Sequence, residues 1–294
     1  MATGLSISST SNLSTGQRIV VANAILAFEP AAPDPSLVRM ERIPQGHKQW
    51  DILTYARFSD ANQLNEGVDL AQSEQLVAAT VTITPDEKGI LAQASKRLVR
   101  RQGDTNIVST LGTMLGNSLR RKMAQDVVAL YDGFTKSVVG ASNTLDITHF
   151  RGSIAYLLTD NDAAYGPAPL PLDAVLHIEQ ISDILLDLTD TAPRGTTTGF
   201  TDELLQRWWS GRDRLYGINA FHSGIIDRDT ASDSKGTIKH KSALAQVMAQ
   251  DADATEEVDN SLRATEYGIF QEYSEAEIAD PHGVEVYSDT TATV

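Results

Sequence analysis

The sequence has 294 residues, 41% of them hydrophobic, which is enough chain to bury a sizeable core in one or two linked domains. It contains no cysteine, which excludes disulfides, thiolate zinc sites and thiol nucleophiles. Its formal net charge of -15 argues against a protein whose main work is to grip nucleic acid, because such a protein needs a surplus of Lys and Arg facing the phosphates.

The first residues predict a flexible arm rather than a targeting segment. Residues 1–15 are rich in Ser and Thr and contain no Lys or Arg, so the positively charged start of an export signal is missing. The best apolar run, 19–28, is interrupted by Asn23 and is shorter than the roughly 20 residues that a membrane helix needs. We therefore expect no membrane segment.

Two predicted strands form a long hairpin. The first, 49–58, alternates in the period of a strand, with one face formed by Trp50, Ile52, Ala56 and Phe58 and the other by Asp51, Tyr55 and Arg57. A second strand is predicted at 76–84, and the polar stretch 59–74 between them predicts a loose tip. A two-stranded hairpin cannot bury both of its faces by itself, so we expect it to pack against something else.

A long helix is the clearest predicted element. Residues 85–89 predict a turn, and 90–101 predict a strand or a short helix. After them, apolar residues recur every three or four positions, the spacing of one helical face, at Ile107, Leu111, Leu115, Leu119, Met123, Val127, Leu130 and Phe134. This pattern predicts a helix over 106–133, roughly 40 Å long at about 1.5 Å per residue. Asp104 or Thr105 can cap its start, and Gly133 lies near its end.

The rest of the chain predicts a mixed α and β region. Helical patterns occupy 147–159, 172–188 and 202–209, and core segments are predicted at 215–226 and 243–248. Late strands are predicted at 262–273, 276–278 and 284–287, with a turn at 280–283.

Opposite charges are separated along the chain. From residue 251 to the end there are 12 acidic residues against Arg263 alone, whereas basic clusters come earlier, at Lys96, Arg97, Arg100, Arg101, Arg120, Arg121 and Lys122. Charge runs of this kind are usually solvated faces. The alternative is a pair of complementary patches that meet between neighbouring copies and set their register. The sequence alone favours the solvated faces.

The sequence contains no recognisable catalytic signature. A phosphate-binding Gly-rich loop, a dinucleotide fingerprint, a zinc-protease helix and a nucleophile elbow are all missing. His177 and Glu179 have a poor spacing for sharing a metal, so we expect a core histidine. Trp208 and Trp209 could stack a ligand, but their apolar neighbours favour a core pair. We predict no catalytic residue, no metal site and no cofactor.

Two weaker motifs also have structural interpretations. Gly112 and Gly116 lie four apart in the long helix, where small residues favour close packing against another element over a membrane dimer. Glu256 and Glu257 have no apolar setting that would raise the pKa of either carboxyl, so we expect both to be solvated.

Four segments, in this order, resemble the major capsid proteins of tailed bacteriophages, whose coat fold, the Hong Kong ninety-seven type, is shared with herpesviruses and encapsulins. They are 42–48 leading to Leu64, Asn65, Glu66 and Gly67; the return strand and turn at 81–89; the long helix with Leu119, Arg121, Lys122 and Asp126; and 273–289 with Ala276, Glu277, Ile278, Asp280, Gly283, Val284 and Asp289. The middle, 145–248, matches only in position and general character.

The resemblance implies an α+β phage coat fold and a structural subunit without enzyme activity. Its parts would be an N-terminal arm (1–45), an extended loop hairpin (46–84), a peripheral domain with a long spine helix (85–140), an axial domain (141–254) and a return to the peripheral domain (255–294). The subunit would assemble as pentamers and hexamers into an icosahedral shell around double-stranded DNA. It would be assembled in the host cytoplasm and reside in the virion capsid.

The resemblance also implies partners and contact residues. Partners would be other copies, portal and scaffolding proteins, possible decoration proteins, and packaged DNA bound weakly and non-specifically. The expected contacts between subunits are Trp50, Ile52, Tyr55, Phe58, Asn65, Glu66, Gly67, Arg100, Arg101, Arg120 and Arg121. Some coats of this type join Lys to Asn covalently, but nothing around Lys48 indicates the dry pocket that would activate it.

Two alternatives remain open at this point. The nearer is an encapsulin-like compartment of the same fold, which would hold a cargo enzyme rather than a genome. The other is an uncharacterised soluble enzyme or ligand-binding protein, with a site in the middle region around His177, Trp208, Trp209 and His222.

Overall fold

The computed structural model describes residues 32–58, 60, 61, 63, 74–102, 106–159, 162, 164–190 and 216–290. The strands are β1 (Arg39–Arg42), β2 (Trp50–Tyr55), β3 (Ala78–Ile83), β4 (Asp86–Ser95), β5 (Ser137–Val139), β6 (Leu172–Leu176), β7 (Asn219–His222), β8 (Asp233–His240), β9 (Leu244–Asp259), β10 (Ala264–Glu277) and β11 (Gly283–Asp289). The helices are α1 (Lys96–Gln102), α2 (Asn106–Ala129), α3 (Ile147–Leu158) and α4 (Ile178–Asp190). The arm residues 1–31, the hairpin tip with Asn65, Glu66 and Gly67, the capping candidates Asp104 and Thr105, and Trp208 and Trp209 lie outside the described residues.

A four-stranded sheet runs in the order β1-β9-β10-β4. Its centre is a long antiparallel ribbon of β9 and β10, with 16 and 14 residues. β4 pairs antiparallel along most of β10, whereas β1 pairs in parallel with only the first part of β9, from Arg39 opposite Ala245 to Arg42 opposite Met248. Helix α2 packs against β10 and β4.

The long helix is confirmed where the periodicity predicts it. Its buried positions, Leu115, Leu119, Ala124 and Val127, recur at helical spacing and form the stripe that faces the rest of the chain. A short 3-10 helix, Leu130–Gly133, extends it and brings Tyr131 and Phe134 into the core.

A five-stranded sheet, in the order β5-β11-β8-β6-β7, forms the second layer. Phe150 and Leu157 of α3 and Ile184 of α4 pack on it in one apolar cluster with Leu176 and Ile238. Helix α3 begins where the sequence predicts, because Asp146 caps it by accepting a hydrogen bond from the His149 backbone N–H at 2.7 Å.

Two local predictions are wrong, and both errors come from packing. The helical prediction for 172–188 fails in its first five residues, which form β6, paired with β7 on one edge and β8 on the other. All five are buried, with one face in the apolar cluster of α3 and α4 and the other in the cluster around the end of α2. A strand covered on both faces lacks the alternation that would identify it. The predicted turn at 85–89 fails because Asp86 already begins β4. Gly89 lies in that strand under the ring of Phe270, which leaves no room for a side chain.

Glycines 112 and 116 do not permit a close approach within the described chain. A Cβ added at either position would meet nothing within 4 Å. Among the described residues, no other element packs closely against these glycines.

The strands do not follow the expected boundaries of the domains. The boundary at 254/255 falls inside β9, and β11 belongs to the five-stranded sheet, between β5 and β8. The division into arm, loop, peripheral and axial domains stays a prediction. None of the helices in the described ranges is long and apolar enough to cross a membrane.

Candidate assembly surface

The β2–β3 hairpin is anchored at its base. Its strands pair antiparallel from Trp50 opposite Ile83 to Tyr55 opposite Ala78. Ile52 and Ile83 are buried against Val247 of β9 in a small apolar cluster. One face of the hairpin therefore rests on the four-stranded sheet of its own chain.

The part of the hairpin beyond this base exposes apolar side chains. Five of them are between 53% and 64% exposed: Leu53, Tyr55, Phe58, Leu76 and Val77. Two of them, Phe58 and Val77, line a cleft of about 580 Å³ together with Ala56, Arg57, Asp60, Glu74 and Gln75. Clustered exposed apolar side chains of this kind mark interaction surfaces.

A loop next to the five-stranded sheet fixes the direction of the hairpin. The Arg57 backbone N–H donates to the Ala164 carbonyl at 2.9 Å, and the Tyr165 hydroxyl lies 3.5 Å from Thr54 Oγ1. The Tyr165 ring meets His282 edge to face, with 6.0 Å between ring centroids. The hairpin is thus held by the four-stranded sheet and by this loop, while the apolar side chains beyond its base are more than half exposed among the described residues.

Of the described hairpin residues expected to contact a neighbouring subunit, three remain accessible to it and one does not. Tyr55 and Phe58 are exposed and Trp50 is half-buried. Ile52 is 4% exposed within its own chain, so the expectation that it contacts a neighbouring subunit is corrected: it anchors the hairpin instead. Sequence reasoning missed Leu53, Leu76 and Val77.

The four arginines expected to contact neighbouring subunits lie on helices α1 and α2. Arg100 is exposed on α1, and Arg120 and Arg121 are exposed on α2; the side chain of Arg101 lies outside the described residues. Both α2 arginines border a cleft of about 430 Å³, which is lined by Ala32, Pro35, Ser36, Asn117, Arg120, Arg121, Met123 and Ile225.

A network of charges fastens the four-stranded sheet to the spine helix. Lys88 of β4 contacts Asp126 of α2 at 2.6 Å, and Lys122 contacts the same carboxylate at 2.7 Å. Tyr273 of β10 donates to Asp126 at 3.1 Å. Although burial raises the pKa of the Asp126 carboxyl, the two lysines outweigh it and hold that pKa below its ordinary value.

A second buried network joins the two sheets. Asp34 is fully buried and accepts hydrogen bonds from the Tyr131 hydroxyl at 2.8 Å and the Ser223 hydroxyl at 2.7 Å. Burial raises the pKa of its carboxyl. Lys239 of β8, also buried, donates to the Leu37 carbonyl, and burial lowers the pKa of its amine to about 8.

The described residues that the sequence offered as weak candidates for a metal or ligand site have structural roles or do not form a cluster. His177 Nδ1 accepts from the Glu179 backbone N–H at 3.2 Å, so this histidine caps the start of α4. His222 is exposed at the end of β7. Within the described ranges, no three His, Asp or Glu side chains stand close enough together to hold a metal ion. Glu256 and Glu257 are solvated, as expected.

No protein-family model matches the sequence, and no curated protein shows significant similarity to it. Solved bacteriophage capsids match it in fold. A chain from the head of Helicobacter pylori bacteriophage KHP40 aligns with a TM-score of 0.69 and 12% identity over 98% of both chains. A chain from the capsid of cyanophage P-SCSP1u aligns with a TM-score of 0.66 and 12% identity over 97% of this chain and 96% of that one.

A third match is the mature capsid of bacteriophage PhiM1, with a TM-score of 0.66 and 12% identity over 97% of this chain and 95% of that one. The three alignments span both sheets, the hairpin and the spine helix. The chain therefore has the fold of bacteriophage capsid subunits, and the predicted α+β coat fold is confirmed.

Proposed function

We propose that this chain is a major capsid protein, which assembles as pentamers and hexamers into an icosahedral shell around double-stranded DNA. The observation that carries the proposal is the fold match over 98% of both chains with a phage head protein. A match of this extent includes the hairpin as well as the two sheets, so the whole chain has the design of a shell subunit.

The exposed end of the hairpin supports this function. Tyr55, Phe58, Leu76 and Val77 are each more than half exposed in the described part of their own subunit, and each would gain roughly 25 cal/mol for every Å² of apolar surface that a neighbour buries. In a shell this gain is repeated in every copy. We infer that the hairpin lies over the adjacent subunit.

The charge of the chain suits a container for DNA. A subunit with a net charge of -15 has no general attraction for a polyanion, so its contact with packaged DNA is weak and non-specific. Portal, scaffolding and decoration proteins complete the particle in this proposal, and assembly takes place in the host cytoplasm.

The proposal is tested by expressing the full chain alone, measuring its mass in solution by light scattering, and imaging the same fractions by negative-stain microscopy. Particles in the megadalton range, or pentamers and hexamers that close when a scaffold is added, are expected. A stable monomer or dimer under every condition would contradict the proposal. Native particles that hold a protein cargo and no DNA would indicate a compartment instead.

A further inference from the structure

One long edge of the four-stranded sheet is open. β1 covers β9 only as far as Met248, and from there to Asp259 no other described strand pairs with β9 on that side. The nine consecutive residues 250–258 are all exposed. An open strand edge leaves backbone N–H and C=O groups unpaired, and proteins cover or charge such edges to control what pairs with them.

This edge is acidic, and an arginine of the same chain already forms an ion pair with one of its carboxylates. The edge carries Asp251, Asp253, Glu256, Glu257 and Asp259 and no Lys or Arg. At its start, the Arg42 guanidinium lies 2.6 Å from Asp251 Oδ1. Beyond this pair, no Lys or Arg of the described chain lies within 4 Å of the carboxylates of Asp253, Glu256 or Glu257.

The chain also retains an unfavourable pair at this edge. Glu257 of β9 lies directly opposite Glu266 of β10. Like charges that face each other across two strands destabilise the sheet. A cation supplied from outside the chain would relieve this repulsion.

A matching basic surface lies on α1. Lys96 and Arg97, which begin this helix, and Arg100 are all exposed. No carboxylate of the described chain pairs with Arg97 or Arg100. The Lys96 backbone N–H donates to the Arg263 carbonyl at 2.9 Å, so α1 lies beside the tip of the β9–β10 ribbon. Unpaired cations and unpaired carboxylates therefore occupy different surfaces at one end of the same sheet.

We propose that the open edge of β9, residues 250–259, is the docking surface for helix α1 of a second copy of this chain. The proposal rests on the proposed function, since it names one contact inside the shell. The two surfaces differ, so the contact is heterologous: each copy gives its α1 to one neighbour and receives the α1 of another, and copies joined in this way can close into a ring. The five N–H donors of each Arg can bond edge carbonyls as well as carboxylates.

A charge exchange tests this contact. The variants Glu256→Lys/Glu257→Lys and Arg97→Glu/Arg100→Glu each place like charges against each other, and each should form at least tenfold fewer shells than the unmodified chain by light scattering and negative-stain microscopy. Combining all four substitutions restores both the native net charge and the opposed charges, so shells should return. The native chain should form fewer shells in 1 M NaCl, because salt at this concentration screens interactions between exposed charges that are more than about 3 Å apart.

Stability measurements separate lost assembly from lost folding. Glu256→Lys/Glu257→Lys removes the repulsion with Glu266, so its melting temperature as an unassembled subunit should rise while its assembly falls. Asp227→Lys, an exposed change in the loop between β7 and β8, is the control and should assemble like the native chain.

The two proposals fail in different ways. Normal shells from either double variant, or no recovery in the fourfold variant, would overturn the docking of α1 on β9 and leave the capsid function standing. A native chain that never assembles would overturn the capsid function itself.

Discussion

Asp34 is the residue on which the joint between the two sheets depends. It binds Tyr131 at the end of the spine helix and Ser223 after β7, which are 97 and 189 positions away in the sequence. A carboxylate in this setting is stabilised only while its hydrogen-bond donors remain, because removing one side of a buried polar network leaves the other side unsatisfied.

Asp34→Ala should lower the free energy of unfolding by about 3–5 kcal/mol, because it leaves the buried Tyr131 and Ser223 hydroxyls without their acceptor and removes one of the two carboxylates whose charge acts on buried Lys239. Urea unfolding followed by circular dichroism measures the loss. The matched variant Tyr131→Phe removes one donor and should cost only about 1 kcal/mol. Equal losses in the two variants would show that Asp34 has no special role.

Glu277 predicts a pH dependence of stability. Burial, and then the nearby Asp280, raise the pKa of its carboxyl from an ordinary value of 4.5 to about 7. At pH values between 4.5 and about 7, the folded chain therefore keeps a proton on Glu277 that the unfolded chain has released. The contribution of Glu277 to the free energy of unfolding is fully present below about pH 4.5 and is lost as the pH rises through about 7.

Glu277→Gln should remove this dependence and raise the free energy of unfolding at pH 8 by about 1 kcal/mol, a figure reduced for the partial exposure of the group. Chemical unfolding at pH 5 and pH 8 checks it. Glu87→Gln, at an exposed carboxyl, should leave the slope between the two pH values unchanged. A Glu277→Gln chain that still loses stability between pH 5 and pH 8 by as much as the native chain would contradict the assignment.

At the scale of elements, close contact between glycine and aromatic rings holds two strands in place. Gly283 begins β11 directly beneath the ring of Phe134, which follows the spine helix. A methyl group at this position would overlap the ring. The glycine therefore lets β11 approach the end of the helix and enter the five-stranded sheet.

Gly283→Ala should destabilise the chain by about 1–3 kcal/mol, the usual cost of forcing an atom into a packed core. Gly116→Ala is the contrasting variant: its new methyl meets nothing within 4 Å, and alanine in a helix interior should add about 0.5–1 kcal/mol. Urea midpoints of the two variants should move in opposite directions. A shift in the same direction would refute this account of the glycines.

The elements that sequence could predict are those whose signal is local. The spine helix and the β2–β3 hairpin show their periods over many residues, and both are found where expected. β6 has no such period, because its neighbours bury both of its faces. Of the expected hairpin contacts, Tyr55 lies on the face opposite Ile52, as the strand pattern predicts, whereas Phe58 lies beyond the end of β2 and is exposed although the pattern puts it on the face of Ile52. The burial of Ile52 depends on Val247, far away in the sequence.

The whole molecule is organised around a body of two sheets and a hairpin that leaves it. Because the base of the hairpin is buried and its end is exposed, the end can be changed without disturbing the core. Assembly and folding should therefore respond differently to substitutions there.

Tyr55→Ser/Phe58→Ser/Val77→Ser should leave the unfolding midpoint of the subunit nearly unchanged and prevent closed shells, because it removes apolar surface that only a neighbour covers. Deleting residues 59–75 should have the same effect. Sedimentation and negative-stain microscopy of purified subunits check both. Met114→Ser, an equally exposed apolar site on α2, is the control and should assemble normally. Normal shells from the triple variant or the deletion would rule out the hairpin contact.

The position of β11 in the five-stranded sheet has a consequence for how the subunit is made. This strand lies between β5 and β8, so the sheet has a gap until residues 283–289 have left the ribosome. At about 5–20 residues per second, synthesis of residues 1–282 takes roughly 15–60 s. A chain made from a truncated messenger RNA would lack this strand and the core around Val284 and Val286. Cellular proteases should therefore remove such a chain before it can join a particle.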